Sequence, residues 1–153
     1  MTTFDVFSSY CLTEPDSGSD AASMKSFAKD CGDHFVLNGA KAFISGAGSN
    51  DIYLVMCKTG EKDVSCLIVE KDMKGVSFGA NEHKLGWNCQ PTRVINFDDV
   101  KVPKANLVGV QGKGFSIAMS GLDGGRLNIA RCSLGGAAAC ITATTEYIKT
   151  RKQ

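Results

Sequence analysis

Only two histidines, one tryptophan and three prolines occur in 153 residues, and each scarcity removes a class of function. His34 and His83 are the sole imidazoles, and no two cysteines form a Cys-x-x-Cys pair, so a zinc site lacks its ligand spacing and no metal is expected. No Ser-His-Asp grouping, carboxylate pair on one helix or phosphate-binding loop stands out. Neither sign of charge is in excess, since 17 Lys and Arg stand against 16 Asp and Glu without a block of like charge. Nucleic acid is therefore not an expected partner, and neither is an anionic membrane. No run approaches the roughly 20 apolar residues of a membrane-crossing helix. No Asn-x-Ser/Thr acceptor is present either. Met1 to Asp5 have neither the hydrophobic core of a secretory signal nor the arginines of a transit peptide; a targeting segment is either absent or upstream.

Cysteine, by contrast, is plentiful: Cys11, Cys31, Cys57, Cys66, Cys89, Cys132 and Cys140. Their number is odd and several neighbour apolar residues, as in Val55-Met56-Cys57 and Cys66-Leu67-Ile68. That usage suits small buried hydrophobes of a soluble protein in a reducing compartment.

The chain has two regimes. From Phe35 to about Val108 it reads as short strands and turns. Asn38-Gly39 between two apolar runs predicts a two-residue hairpin, because that dipeptide supplies positive φ angles. Further strands are expected at Ile52 to Lys58, Val64 to Val69, Val76 to Phe78, Thr92 to Phe97 and Val100 to Val102, each bounded by turn-forming residues. Close spacing without intervening helices argues for an antiparallel sandwich or barrel. After Gly112-Lys113-Gly114, the stretch from Phe115 to Lys152 contains no proline and reads as helix. Unbroken, it would be about 57 Å long and would overhang a compact chain about 40 Å across. Its glycines (121, 124, 125, 135 and 136) either kink it or admit another helix closely. Ile117, Leu127, Leu134 and Ile141 then need partners from missing helices or another subunit, unless the helix bends back onto the sheet.

Candidate chemistry is thinner. Tyr10 to Asp20 is dense in hydroxyl and turn residues and reads as an ordered loop, either a plain turn or the wall of an anion or cofactor site. Ser45-Gly46-Ala47-Gly48 carries the same two readings. Arg126 follows Asp123 at the spacing of a surface ion pair, and Trp87 is either a core or an interface anchor.

Tyr10-Cys11-Leu12-Thr13-Glu14-Pro15, closing with Ser17-Gly18-Ser19-Asp20, resembles a signature of the acyl-CoA dehydrogenase family. Three further motifs follow in the family's order. They are Leu37-Asn38-Gly39 with Lys41 and Phe43-Ile44-Ser45; Asn96 to Pro103 with Asn106; and Gly112 to Phe115 with Asp123 to Arg126. Together they cover essentially the whole chain. Within the family, Leu12, Phe43 to Gly48, Asp51 to Tyr53, Gly86 to Asn88 and Gln90 to Arg93 are most similar to members acting on isobutyryl-CoA in valine breakdown.

The resemblance implies a mainly β middle domain over residues 1–109 and the beginning of a C-terminal helical domain over 110–153. It also implies FAD as cofactor, an acyl-CoA substrate, an electron-transferring flavoprotein as acceptor and a homotetramer. The expected compartment is the mitochondrial matrix in a eukaryote and the cytoplasm otherwise. By the same resemblance Tyr10, Cys11, Leu12, Thr13, Ser17, Gly18 and Ser19 wall the flavin site, with Thr13 on the pyrimidine side. Phe43 and Ile44 pack there and the Ser45 hydroxyl lies near the reactive nitrogen. Ser19 touches the pantetheine arm, Asp123, Gly124, Gly125 and Arg126 contact the acyl-CoA, and Arg151 reaches the FAD diphosphate of a neighbouring subunit. The family's base is a glutamate, and none of Glu14, Glu61, Glu70, Glu82 or Glu146 matches its motif, so no catalytic residue is expected in 1–153.

Asp16 departs from the family's usual glycine and brings a side chain and a negative charge toward the cofactor phosphates. Two other readings stay open. One is a non-catalytic flavin- or CoA-binding or assembly module; the other is a relative that oxidises a non-thioester substrate.

Overall fold

The computed structural model describes Thr3 and residues 5–153; Met1, Thr2 and Phe4, part of the stretch read above for targeting, lie outside the described residues. The chain divides into two compact units, Met1–Ala118 and Met119–Gln153.

The strands of the first unit are β1 (Ser8–Cys11), β2 (Phe27–Asp30), β3 (His34–Ser45), β4 (Ile52–Lys58), β5 (Val64–Glu70), β6 (Val76–Phe78), β7 (Thr92–Pro103) and β8 (Leu107–Val108). They form one mixed sheet in the order β6-β7-β3-β2-β4-β5-β8, with β1 against β4. A mainly β domain followed by a long helix is the expected architecture. Most pairings are antiparallel, but β1 and β2 both run parallel to β4, at Ile52–Val55 and at Lys58 respectively. They lie end to end along one edge of β4, so residues 12–26 cross the gap between them. The sheet wraps one core. Val55 and Cys57 of β4 and Leu67 and Val69 of β5 share it with Phe35 and Leu37 of β3 and Ile95, Phe97, Val100 and Val102 of β7.

The expected hairpin at Asn38-Gly39 does not form. β3 runs straight through those residues and pairs with β2 and β7 instead. The turn chemistry is used for a bulge: Leu37 faces Val100 and Gly39 faces Phe97, so β7 carries one extra residue there. That residue region includes Asp99, at φ 48, which the Asn38 side chain clasps at both ends. Gly39 has φ +135, and a Cβ on it would fall 2.4 Å from Ser26 Oγ. Thr92 to Phe97 and Val100 to Val102, expected as two strands, are one strand interrupted by this bulge.

A second irregularity runs the other way. Lys41 faces Ile95 and Ile44 faces Arg93, so here β3 carries the extra residue, and Phe43 takes φ 56 to absorb it. Inward parity, kept by Phe35, Leu37 and Lys41, shifts by one residue to Ala42 and Ile44.

Tyr10 and Cys11, expected in a loop, belong to β1. Its short alternation, with Ser9 and Cys11 buried, is too brief to read from sequence.

Helix α1 (Gly114–Thr150) matches the expected helix within two residues at either end and runs unbroken through its glycines. Its first turn belongs to the β unit, where Gly114 is so close to β5 that a Cβ would meet the Ser65 carbonyl carbon at 2.4 Å. In the second unit Leu127, Leu134 and Ile141 are between 61% and 74% exposed, whereas Ile117, expected to need the same outside partners, belongs to the β unit and is half-buried there. No helix of the described residues is long and apolar enough to cross a membrane.

Candidate functional site

Lys41 organises the most distinctive part of the β unit. It continues the inward parity of Phe35 and Leu37, so its side chain enters the core and is fully buried. A buried ammonium needs acceptors. Its Nζ donates to the Leu12 carbonyl at 2.9 Å and to Glu14 Oε1 at 2.7 Å. Glu14, 5% exposed, accepts in turn from the backbone N–H of Lys25 at 2.6 Å and of Ser26 at 3.0 Å. Burial by itself would raise the Glu14 pKa, but the hydrogen bonds from Lys41, Lys25 and Ser26 outweigh it and hold the carboxyl below its usual range. Burial draws the Lys41 ammonium down, and Glu14 opposes that pull.

Beside this pair the Ala42 N–H donates to the Thr13 carbonyl at 2.8 Å, which lays the chain after β1 against the middle of β3. At the β3 bulge Phe43 turns outward and is 65% exposed. Thr13 is half-buried and Ser45 is exposed, and among the described residues neither hydroxyl has a hydrogen-bond partner. The position of Ser45 is set from behind. Ser9 Oγ donates to its carbonyl at 2.7 Å, and the Asn50 side-chain amide holds Ser9 Oγ at 3.0 Å. Thr92 pairs with Ser45 across the ladder, and Lys84 ties the neighbouring loop down through Gln90 and Thr92. That loop carries Trp87 at φ 56 and 68% exposed.

The structure thus gathers most of the expected cofactor residues, in different roles. Cys11, Leu12 and Ile44 are buried, and Cys11 and Ile44 belong to the core cluster. Burial pushes the Cys11 thiol up. Tyr10 donates its hydroxyl to the Ala118 carbonyl at 3.0 Å. Ser17 is buried and donates to the Asp20 carbonyl at 2.7 Å, within a turn closed by mutual backbone bonds to Glu14. Gly18 and Ser19 are exposed. Asp16 pairs with Lys25 at 2.8 Å, so its charge has a surface counter-ion.

In the helical unit Asp123 and Arg126 form the expected i, i+3 pair at 2.5 Å, and Gly124 and Gly125 are exposed beside it. Arg151 follows the helix end and is exposed. Along the axis Arg126 and Arg151 are separated by about 37 Å.

Sequence reading missed the roles of Lys41, Glu14, Ser9, Asn50 and Lys84. Lys41 did carry a signal, because it shares inward parity with two apolar residues of one strand. The face has the chemistry to accept a flat heteroaromatic ring with a polar rim. It offers an exposed aromatic and a hydroxyl on β3, with a second uncommitted hydroxyl on the segment that the Ala42 N–H holds against that strand. The expected flavin fits that donor set.

The family model "Acyl-CoA dehydrogenase, middle domain" matches residues 9–100, and "Acyl-CoA dehydrogenase, C-terminal domain" matches residues 112–153. The chain is 55% identical over its whole length to the mitochondrial isobutyryl-CoA dehydrogenases of Dictyostelium discoideum and Bos taurus and spans 38% of the length of each. Its structure is similar to that of an acyl-CoA dehydrogenase complexed with FAD from Bacillus anthracis. The TM-score is 0.85 at 39% identity, covering 95% of this chain and 25% of that one. It is also similar to a chain in the structure of the electron transferring flavoprotein of Acidaminococcus fermentans. There the TM-score is 0.87 at 39% identity, covering 97% of this chain and 40% of that one.

Proposed function

This chain belongs to the acyl-CoA dehydrogenase family, and from that premise we propose that it forms part of the FAD and thioester site of an enzyme oxidising a short branched acyl-CoA, isobutyryl-CoA foremost, to the 2,3-enoyl-CoA. The observation that carries the reading is the exposed Phe43 flanked by Thr13 and Ser45. It stands in a chain 55% identical to isobutyryl-CoA dehydrogenases.

In this reading Phe43 stacks against the flavin while Thr13 and Ser45 bond its rim. Tyr10, Cys11, Leu12 and Ile44 form the wall behind, and the turn at Ser17 and Gly18 closes one side. Ser19 meets the pantetheine arm. On the helix Asp123 to Arg126 meet the acyl-CoA. The separation of about 37 Å between Arg126 and Arg151 supports a different task for the latter, on the cofactor diphosphate of a neighbouring copy. Bound FAD supplies the hydride acceptor that no side chain can. The chain's own residues align the ring and exclude water from it. The α-proton needs a carboxylate base. Glu14 is committed to Lys41, and none of Glu14, Glu61, Glu70, Glu82 or Glu146 matches the family's base motif, so in this reading the base is a glutamate from outside residues 1–153. The domain border is placed between residues 109 and 110. A homotetramer, an electron-transferring flavoprotein as acceptor and a mitochondrial matrix location belong to the same reading.

The test is titration of the purified chain with FAD, followed by anaerobic addition of isobutyryl-CoA. Saturable binding with flavin quenching and no bleaching is the expected result. Absence of FAD binding would remove the reading. Bleaching would show that the base lies within the chain.

A further inference from the structure

We infer that the buried Lys41–Glu14 pair is a positioning device that sets Thr13 against Phe43 and so preforms the cofactor face; the inference rests on the flavin reading proposed above. Three observations carry it. Both side chains are buried, Lys41 fully and Glu14 to 5% exposure, and a buried ion pair is a poor source of stability compared with apolar residues of the same size. The geometry shows what else the pair does. Every hydrogen bond beyond the one joining the pair goes to backbone: Lys41 Nζ to the Leu12 carbonyl, and Glu14 to the N–H groups of Lys25 and Ser26. These backbone groups lie at the two ends of residues 12–26, the segment that crosses the gap between β1 and β2. The pair therefore clamps the segment where it leaves β1 and where it enters β2.

The third observation is continuity. Lys41 is followed by Ala42, whose N–H donates to the Thr13 carbonyl at 2.8 Å, and then by Phe43 at the bulge. One stretch of three residues on β3 holds the Leu12 and Thr13 carbonyls and presents the exposed aromatic. Thr13 and Phe43 thus come from sequence positions thirty apart and are set against each other by Lys41 and Ala42. Being net neutral, the pair orients the segment without presenting a charge to the ligand. Lys41 and Glu14 are positioning residues here, since both side chains are buried.

The experiment uses the 153-residue chain with FAD as probe. It compares wild type, Lys41→Met, the double variant Glu14→Leu/Lys41→Met, and Val102→Ala, a core substitution away from this face. Thermal unfolding, FAD affinity, the bound flavin's absorption and fluorescence, and amide exchange at residues 11–17 are measured for each. The double variant is expected to be more stable than Lys41→Met, because it leaves no buried charge unpaired, and less stable than wild type by the backbone bonds it loses. It should nevertheless bind FAD about tenfold more weakly or worse, because the bound arrangement is then only a minor population. Its flavin spectrum should be closer to that of free FAD, and exchange at 11–17 should be faster. Val102→Ala, though less stable, should bind FAD as wild type does below its own midpoint. If the double variant binds FAD and protects residues 11–17 like wild type, the pair is merely structural and the inference fails while the flavin reading stands. If the double variant does not fold in plain buffer, it is compared with Val102→Ala in a stabilising osmolyte, and equal FAD affinity in the two overturns the inference. Failure of wild type to bind FAD overturns both.

Discussion

Asn38 and Asp99 hold each other by a reciprocal pair of hydrogen bonds. The Asn38 side-chain amide donates to Asp99 Oδ1 at 2.9 Å, and the Asp99 N–H donates to Asn38 Oδ1 at 2.9 Å. The residues are 61 apart in sequence, and the second bond satisfies a backbone group that the bulge removes from the ladder. Asn38→Ala is therefore expected to cost about 1–2 kcal/mol. Chemical denaturation would check this as a lower midpoint with an unchanged slope.

Breaking the Lys41–Glu14 pair on one side leaves an uncompensated buried charge. Lys41→Met should destabilise by about 3–5 kcal/mol, read as a fall in the unfolding midpoint.

Acid should act through the same pair. Glu14 has a folded-state pKa below its ordinary value of 4.5, so the native state binds fewer protons than the unfolded one around that pH. Its contribution to stability is present in full above 4.5, shrinks as pH falls below that, and is gone once pH passes under the depressed folded value. Denaturation curves from pH 6 downward should show this loss in wild type. In Glu14→Gln the slope with pH should be shallower.

Glycine at the start of α1 and glycine in its middle should respond oppositely. Gly114→Ala places a Cβ 2.4 Å from β5 backbone, which must displace the helix or the strand, and a loss of about 2 kcal/mol or more is expected. At Gly124 an added Cβ meets nothing within 4 Å. Gly124→Ala should therefore favour helix by about 1 kcal/mol, visible as higher helicity by circular dichroism.

Thiol labelling should divide the cysteines. Cys31, Cys89, Cys132 and Cys140 are exposed and should react within minutes at pH 8. Burial pushes Cys57 up to about 12 and Cys66 up to about 11 and also raises Cys11, so these three should react only on unfolding. Mass spectrometry after brief alkylation would count them.

What was legible in the sequence follows from how local each signal is. Strands β4 and β5 are apolar runs with turn residues at both ends, and α1 is a long proline-free stretch; each needed no distant partner to be read. β1 and β2 are four residues each and owe their existence to their partners, β1 to the edge of β4 and β2 to β3. Asn38-Gly39 supplies a positive φ that serves a bulge as well as a hairpin, and only the position of β7 decides between them. On the candidate site, Phe43 and Ser45 were recognisable through resemblance to a family. Lys41 shares the inward parity of Phe35 and Leu37, but it was not recognisable as a clamp, because only the fold brings Leu12 and Glu14, 29 and 27 residues away, beside it.

The two bulges between β3 and β7 behave like a pair of opposite dislocations in a crystal. One adds a residue to β7 and the other adds one to β3, so the ladder beyond both returns to its original phase. Only the short block from Gly39 to Lys41, against Ile95 to Phe97, is out of step with its surroundings. Deleting one residue at either defect alone would slip everything beyond it by one position. Deleting one at each would heal the lattice and erase the block, together with the outward turn at Phe43. Sequence change can therefore remove the two defects only in concert, and insertions or deletions in this family should be paired across these strands or absent from them.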